Sequence, residues 1–256
     1  AASPSRPPPP PPPAFDSAAS CARAAVLGLC FLPTSTEDFI RDQAARALPP
    51  PDGGGDLDAS LIVTHAVRWL LRVPRPHDFD YHAFLSALRA HTASPPITTG
   101  PVLASNADTY EGIWKNTDGM PLTTAPEGWR PKMLEQLEGL VARAEGLDFA
   151  GIRGLEEEAG LRHSACTPYP GRAFDVLPIA LWHFCLRWRT PSECLARAAC
   201  CGGDVPMVCS VVGALLGALH GTAWVPKACY ETLTNGIHGR EYAVRVGRLL
   251  HSTYAE

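Results

Sequence analysis

The sequence has no Cys-x-x-Cys pair, no apolar stretch at its N-terminus and little net charge of either sign. Its 22 basic residues stand against 26 acidic ones, giving a net charge of −4 and a pI near 6.1. Nothing electrostatic therefore recommends nucleic acid or an acidic membrane surface as a partner. Without an apolar h-region, the opening residues Ala1–Arg6 do not form a secretory signal. The 9 cysteines are odd in number and lie mostly inside apolar stretches. That pattern argues against a disulfide framework and predicts buried free thiols in an intracellular, reducing compartment. A zinc set drawn from His183, Cys185, Cys200 and Cys201 lacks the short paired spacing of structural zinc modules. No run alternates apolar and polar residues over the length of a strand, so the fold class expected is all-α.

Proline and glycine are abundant instead, at 26 and 22 of 256 residues. The unbroken run Pro7–Pro13 favours extended polyproline II, so residues 1–14 are expected to form a disordered, Pro-rich tail. Residues 15–256 then read as one helical domain. Two further breaker-rich stretches, Pro49–Gly55 and about 94–131, read as surface loops, the second ending on Trp129-Arg130-Pro131.

Between these breaks the apolar period is helical. Ser35 or Thr36 can cap a helix with Glu37 and Asp38 in its first turn, running to about Leu48. Leu61, Ile62, Ala66, Trp69 and Leu70 form one face of a helix over 57–73, and Phe79, Phe84, Leu85 and Leu88 that of another. Met133, Leu134, Leu137, Leu140, Val141 and Ala144 make 131–145 amphipathic. Ala173–Trp188 is apolar all round, as a core helix is. Thr190-Pro191-Ser192-Glu193 has the form of a capping box. Glu156–Glu158 read as a solvated helix face, and His183 and His220 as core or rim histidines. The count comes to about eight to ten helices, with lengths set by their periodic runs.

From Val205 to Val225 no side chain carries formal charge unless His220 is protonated, and Gly213, Gly217 and Gly221 recur at four-residue spacing. Length and small-xxx-small spacing suit a transmembrane helix. Composition does not, because most positions are Gly, Ala, Ser, Cys, Thr or Pro. At about −0.3 to −0.6 kcal/mol per strongly apolar residue, insertion would be marginal. The expectation is no membrane span, but a central bundle helix whose small residues face neighbouring backbones.

At this helix the residues resemble a family. Cys201-Gly202-Gly203-Asp204, the small-residue helix, Ala218-Leu219-His220-Gly221 and Trp224-Val225-Pro226 resemble the C-terminal signature of ADP-ribosylglycohydrolases. In that family G-G-D-x-D-T precedes a helix of the form A-G-A-x-x-G-A-x-x-G and then a V-P. Phe174–Leu181 followed by Phe184-Cys185-Leu186-Arg187 resembles its V-P-x-A stretch, and Arg23–Leu29 the segment after its glycine-rich loop. The likeness runs over about 17–254, most firmly from 173 onward. It implies an orthogonal multi-helix bundle holding two Mg²⁺ ions, with ADP-ribose or an ADP-ribosylated protein or small acceptor as partner. It also implies a monomer that hydrolyses ADP-ribose from that acceptor. Magnesium chemistry of this kind requires hard oxygen ligands around both ions.

Carried over singly, Asp204 matches the first Asp of D-x-D-T and is the candidate metal ligand, or else simply a helix N-cap. The second Asp is Pro206 and the Thr is Met207, neither able to ligate Mg²⁺ through its side chain. No Asp-Asp pair exists for the upstream half of the metal site, and Ser17–Cys21 lacks the glycines of the ligand loop. Gly202 and Gly203, with Gly160 and Leu161 in place of an N-G-[IL] motif, are the candidate ligand-binding residues. The sequence also begins at Ala1 rather than Met, so the expectation is an incomplete family domain, roughly its C-terminal two-thirds. Three functions remain: a truncated or catalytically degenerate hydrolase, an active one with replaced ligands, or a non-catalytic helical ADP-ribose-binding or structural protein.

Overall fold

Thr36 begins a helix in the way its position suggests, its hydroxyl and carbonyl receiving the amides of Phe39 and Ile40 at 3.4 and 3.1 Å. Similar local signals start most of the helices. In the computed structural model, residues 18–31, 34–47, 54–92, 128–161 and 173–254 are described. They form α1 (Ala18–Cys30), α2 (Glu37–Ala47), α3 (Gly54–Leu70), α4 (Tyr81–His91), α5 (Trp129–Ala144) and α6 (Phe149–Glu158). The rest comprises α7 (Ala173–Arg187), α8 (Pro191–Ala198), α9 (Val205–His220), α10 (Lys227–Thr232) and α11 (Arg240–Tyr254). Among the described residues there is no strand. The all-α reading holds, with more helices than periodicity alone separates, because short α10 and capped α6 carry weak apolar signals. The Pro7–Pro13 tail and most of both predicted loops lie outside the described residues.

Four helices, α1, α3, α7 and α9, pack against one another pairwise and form the centre. Around them α2 and α4 lie on α3, α5 on α4 and α7, α8 on α7 and α9, and α11 on α1. An aromatic cluster ties α3, α4 and α7 together. Trp69 meets Phe84 at 5.3 Å, Phe84 meets Phe184 at 5.7 Å, and Phe79 meets Trp188 at 5.0 Å. Such tilted and edge-on pairs add about 0.5–1.5 kcal/mol each beyond area burial. Helix α7 continues through Pro178, which lacks an N–H and costs a helix interior about 3 kcal/mol. Its flanking Val176, Leu177, Ile179, Ala180, Leu181 and Trp182 are all buried and hold the helix together.

Several expectations are corrected. Trp129-Arg130-Pro131 is not loop but the first turn of α5, where a proline's missing N–H leaves no hydrogen bond unmade. Gly54 and Gly55 likewise open α3, which runs 54–70 rather than 57–73. Thr190 does precede α8, but its side chain makes no cap bond to the helix amides. The hydroxyl turns at 3.5 Å to Glu193, whose carboxylate is shared with Arg187 at 3.1 Å. Glu156 is not a solvated residue either. It accepts the indole N–H of buried Trp182 at 3.0 Å, while Glu157 and Glu158 pair with Arg153 and Arg143 on the surface. Of the cysteines, Cys185, Cys194 and Cys201 are buried free thiols as expected and Cys21 is buried too, whereas Cys200 and Cys229 are exposed.

The largest correction concerns α9. Its buried face is Val208, Val211, Val212, Leu215, Leu216 and Leu219, a single stripe at helical spacing. Gly213 and Gly217 lie on the opposite face, and a Cβ at either would meet nothing within 4 Å among the described residues. Gly213 and Gly217 therefore meet no neighbouring backbone among the described residues, whereas Ala214 and Ala218 pack against the core. Close approach occurs elsewhere, at Gly28 of α1. There an added Cβ would fall 2.7 Å from Val67 Cβ and 2.8 Å from the Thr64 carbonyl of α3. The Thr64 hydroxyl fastens that crossing by donating to the Ala24 and Ser60 carbonyls, each at 3.1 Å. No helix among the described residues is long and apolar enough to cross a membrane.

Candidate functional site

The turn from α8 into α9 carries three of the residues singled out from sequence. Gly202 and Gly203 have φ of 78° and 67°, a left-handed pair that side-chain-bearing residues rarely adopt. Asp204 follows with φ −81° and ψ 68°, an inverse γ-turn closed by the Val205 amide on the Gly203 carbonyl at 3.0 Å. Its carboxylate accepts the Met207 amide at 3.2 Å, and its carbonyl accepts that of Val208 at 3.0 Å. This is an N-cap, satisfying amides that the first helical turn leaves without partners. Pro206 occupies the first turn, where a proline is tolerated. The structure thus supplies one carboxylate here, pointed along the helix start.

Gly160 and Leu161 lie at the end of α6. Gly160 has φ 67°, its amide reaching the Glu157 carbonyl at 3.3 Å and that of Leu161 the Glu156 carbonyl at 2.9 Å. The pair of bonds is a Schellman stop, sealed by burial of the Leu161 side chain. Backbone geometry accounts fully for the glycine. Asp58, in the second turn of α3, is buried and faces Arg130 of α5 at 3.5 Å, so its charge is matched by a guanidinium. A cleft of about 540 Å³ opens away from all of these residues, between α4, α5 and α7. Its walls include Tyr81, Glu145, Arg187 and Trp188, and the Tyr81 hydroxyl donates to Glu145 at 2.9 Å. Burial first, and then the Glu145 carboxylate, push that phenol up to about 12.

A different trio converges where α2, α3 and α4 meet. Glu37 stands in the first turn of α2, His65 in the middle of α3 and His91 in the last turn of α4. The His65 Nε2–H donates to Glu37 Oε1 at 3.1 Å, and the His91 Nδ1–H donates to Glu37 Oε2 at 3.2 Å. The two imidazoles stack with centroids 3.8 Å apart and planes 9° apart. Half-burial alone would raise the Glu37 carboxyl. The hydrogen bonds and charges of the two histidines outweigh it and hold the group well below the usual carboxylate range. Burial pushes His65 below its ordinary value, against the opposing pull of Glu37. Among the described residues this trio forms a group of ligand atoms, all within 4.8 Å of one another, that could hold a metal ion.

Sequence reading missed the trio. Glu37 stands out only as a helix-dipole residue and the histidines only as scattered, because the partners are 28 and 54 residues apart. One signal was present: His65 interrupts the apolar face of α3, and a buried polar group calls for a partner.

Comparison with family models gives a match over residues 3–256 to the family described as ADP-ribosylglycohydrolase. The likeness therefore extends through the N-terminal half as well as the segment from 173 onward. No curated protein matches the chain.

Proposed function

The chain belongs to the ADP-ribosylglycohydrolase family, hydrolases of ADP-ribosylated acceptors, and from that premise we propose that it is a catalytically degenerate copy. The observation that carries this reading is the α8–α9 turn. One oxygen of the Asp204 carboxylate caps the Met207 amide, while Pro206 and Met207 occupy the positions of the family's second Asp and Thr. A two-magnesium centre needs oxygen ligands that join both ions, and a pyrrolidine ring and a thioether supply none. The residues at this turn do not fit that centre, and no catalytic step is routed through it.

The reading includes a monomer and a reducing compartment, the latter supported by the buried free thiols Cys185, Cys194 and Cys201. The ligand to test is the one the family points to, ADP-ribose or an ADP-ribosylated acceptor. The test has two arms on the purified chain: release of ADP-ribose from a modified protein, and calorimetric titration with ADP-ribose, each with and without Mg²⁺. The expected result is no release above background and no Mg²⁺-dependent binding. Tight Mg²⁺-dependent binding, or release above background, would overturn the proposal. Binding that ignores Mg²⁺ would favour the non-catalytic binder instead.

A further inference from the structure

We infer that Glu37, His65 and His91 form a binding site for a zinc-class divalent ion, separate from the Asp204 turn. The two sites rest on different elements. Helix α9 packs on α1, α3, α7 and α8, whereas the trio is built from α2, α3 and α4.

The donor set decides the class of ion. Two of the three ligands are imidazole nitrogens, which suit Zn²⁺ and its transition-metal neighbours, whereas Mg²⁺ is served by oxygen. Arg68, one turn further along α3, places positive charge near both Glu37 and His65. That charge repels any dication, so an ion bound there must be held by donation from the two nitrogens and not by charge alone. Spacing agrees. Around Zn²⁺ with bonds of about 2.0–2.1 Å, neighbouring tetrahedral ligands stand about 3.3 Å apart. One Glu37 oxygen stands 3.1 Å from His65 Nε2 and the other 3.2 Å from His91 Nδ1. The ligand atoms all lie within 4.8 Å of one another, so small turns of the Glu37 and His91 side chains would close the set around an ion.

Burial gives the site a fixed wall and a mobile one. His65 is 3% exposed, and its Nδ1 has no hydrogen-bond partner among the described residues, so Nε2 toward Glu37 is the nitrogen aimed at the site. His91, at 41% exposure, is free to turn out of its stack so that Nδ1 points at the ion. On binding, the His65 ring shifts its proton from Nε2 to Nδ1, and the His91 ring shifts its own from Nδ1 to Nε2. With three protein ligands, the fourth position opens to water beside Glu37 and His91, as in zinc sites that are not purely structural. The ion would join α2 and α4 to α3.

The test uses the full chain after chelator treatment, titrated calorimetrically with Zn²⁺ and with Mg²⁺, and with Co²⁺ as a visible-absorption probe. The expected result is one Zn²⁺ per chain at micromolar or tighter affinity, no Mg²⁺ binding, and a Co²⁺ spectrum showing nitrogen ligation. His91→Ala and Glu37→Gln should each weaken Zn²⁺ at least about tenfold, the scale on which ligand-shell changes act. His91 is exposed, so His91→Ala should melt in chelator as the parent does. Asp204→Ala should leave Zn²⁺ affinity unchanged, which separates this test from that of the degenerate hydrolase. Zn²⁺ affinity no tighter than millimolar would overturn the proposal. So would affinity that survives both substitutions, as it would if the exposed thiols of Cys200 and Cys229 held the ion.

Discussion

Helices α3 and α9 are both members of the central four, yet they bury opposite chemistry. Helix α3 buries Asp58, Ser60, Thr64 and His65 among its Val, Leu and Ile residues. Helix α9, by far the more apolar by sequence, buries only Val and Leu on one stripe and leaves its glycine face open. The difference lies in neighbours. Helix α3 is touched by α1, α2, α4, α7 and α9, so even its polar side chains find partners across a crossing. Hydropathy alone therefore does not say which helix buries its polar side chains. The one buried member of the candidate metal trio, His65, is among these polar side chains of α3, and Glu37 and His91 reach it from α2 and α4.

Substitution at the glycines tests this contrast most strongly. Gly28→Ala drives a methyl into the Val67 side chain and the Thr64 backbone, and should destabilise the chain by about 1–3 kcal/mol in urea denaturation. A loss below a few tenths would mean that α1 and α3 are not packed so closely. Next in size is the α9 start. Asp204→Ala removes the acceptor for the Met207 amide, and a loss of about 0.5–2 kcal/mol is expected at neutral pH. A much larger loss would show that this carboxylate does more than cap. The smallest effect carries the opposite sign. Gly213→Ala places a methyl where nothing lies within 4 Å, so improved helix propensity should raise stability by about 0.8–1 kcal/mol. A drop in melting temperature would show that the outer face of α9 is covered, and would erase the contrast with α3.

Much of the frame is legible in the sequence, and for local reasons. Thr36 before Glu37, the periodic apolar set of 131–145 and Asp204 before Val205 each specify a helix within one or two turns of chain. The errors come where a local signal has a non-local answer. Thr190 and Glu193 have the spacing of a capping box, but Arg187 draws the Glu193 carboxylate and the hydroxyl follows it. Gly213 and Gly217 have the spacing of a packing stripe, but the branched residues of α9 already fill the inner side. The Glu37–His65–His91 trio has no spacing at all to read. It exists only because α2 and α4 settle on the same stretch of α3.

The α8–α9 turn also provides a clock. Cys200 and Cys201 are adjacent in the chain, yet Cys200 is exposed, while Cys201 is buried with its sulfur on the Gly202 carbonyl at 3.2 Å. Burial, more than any neighbouring group, pushes the Cys201 thiol up to about 12. A thiol-directed reagent therefore meets one cysteine at once and the other only when the turn opens. The lag between the two adducts measures how often the Gly202–Gly203 turn opens in the native state.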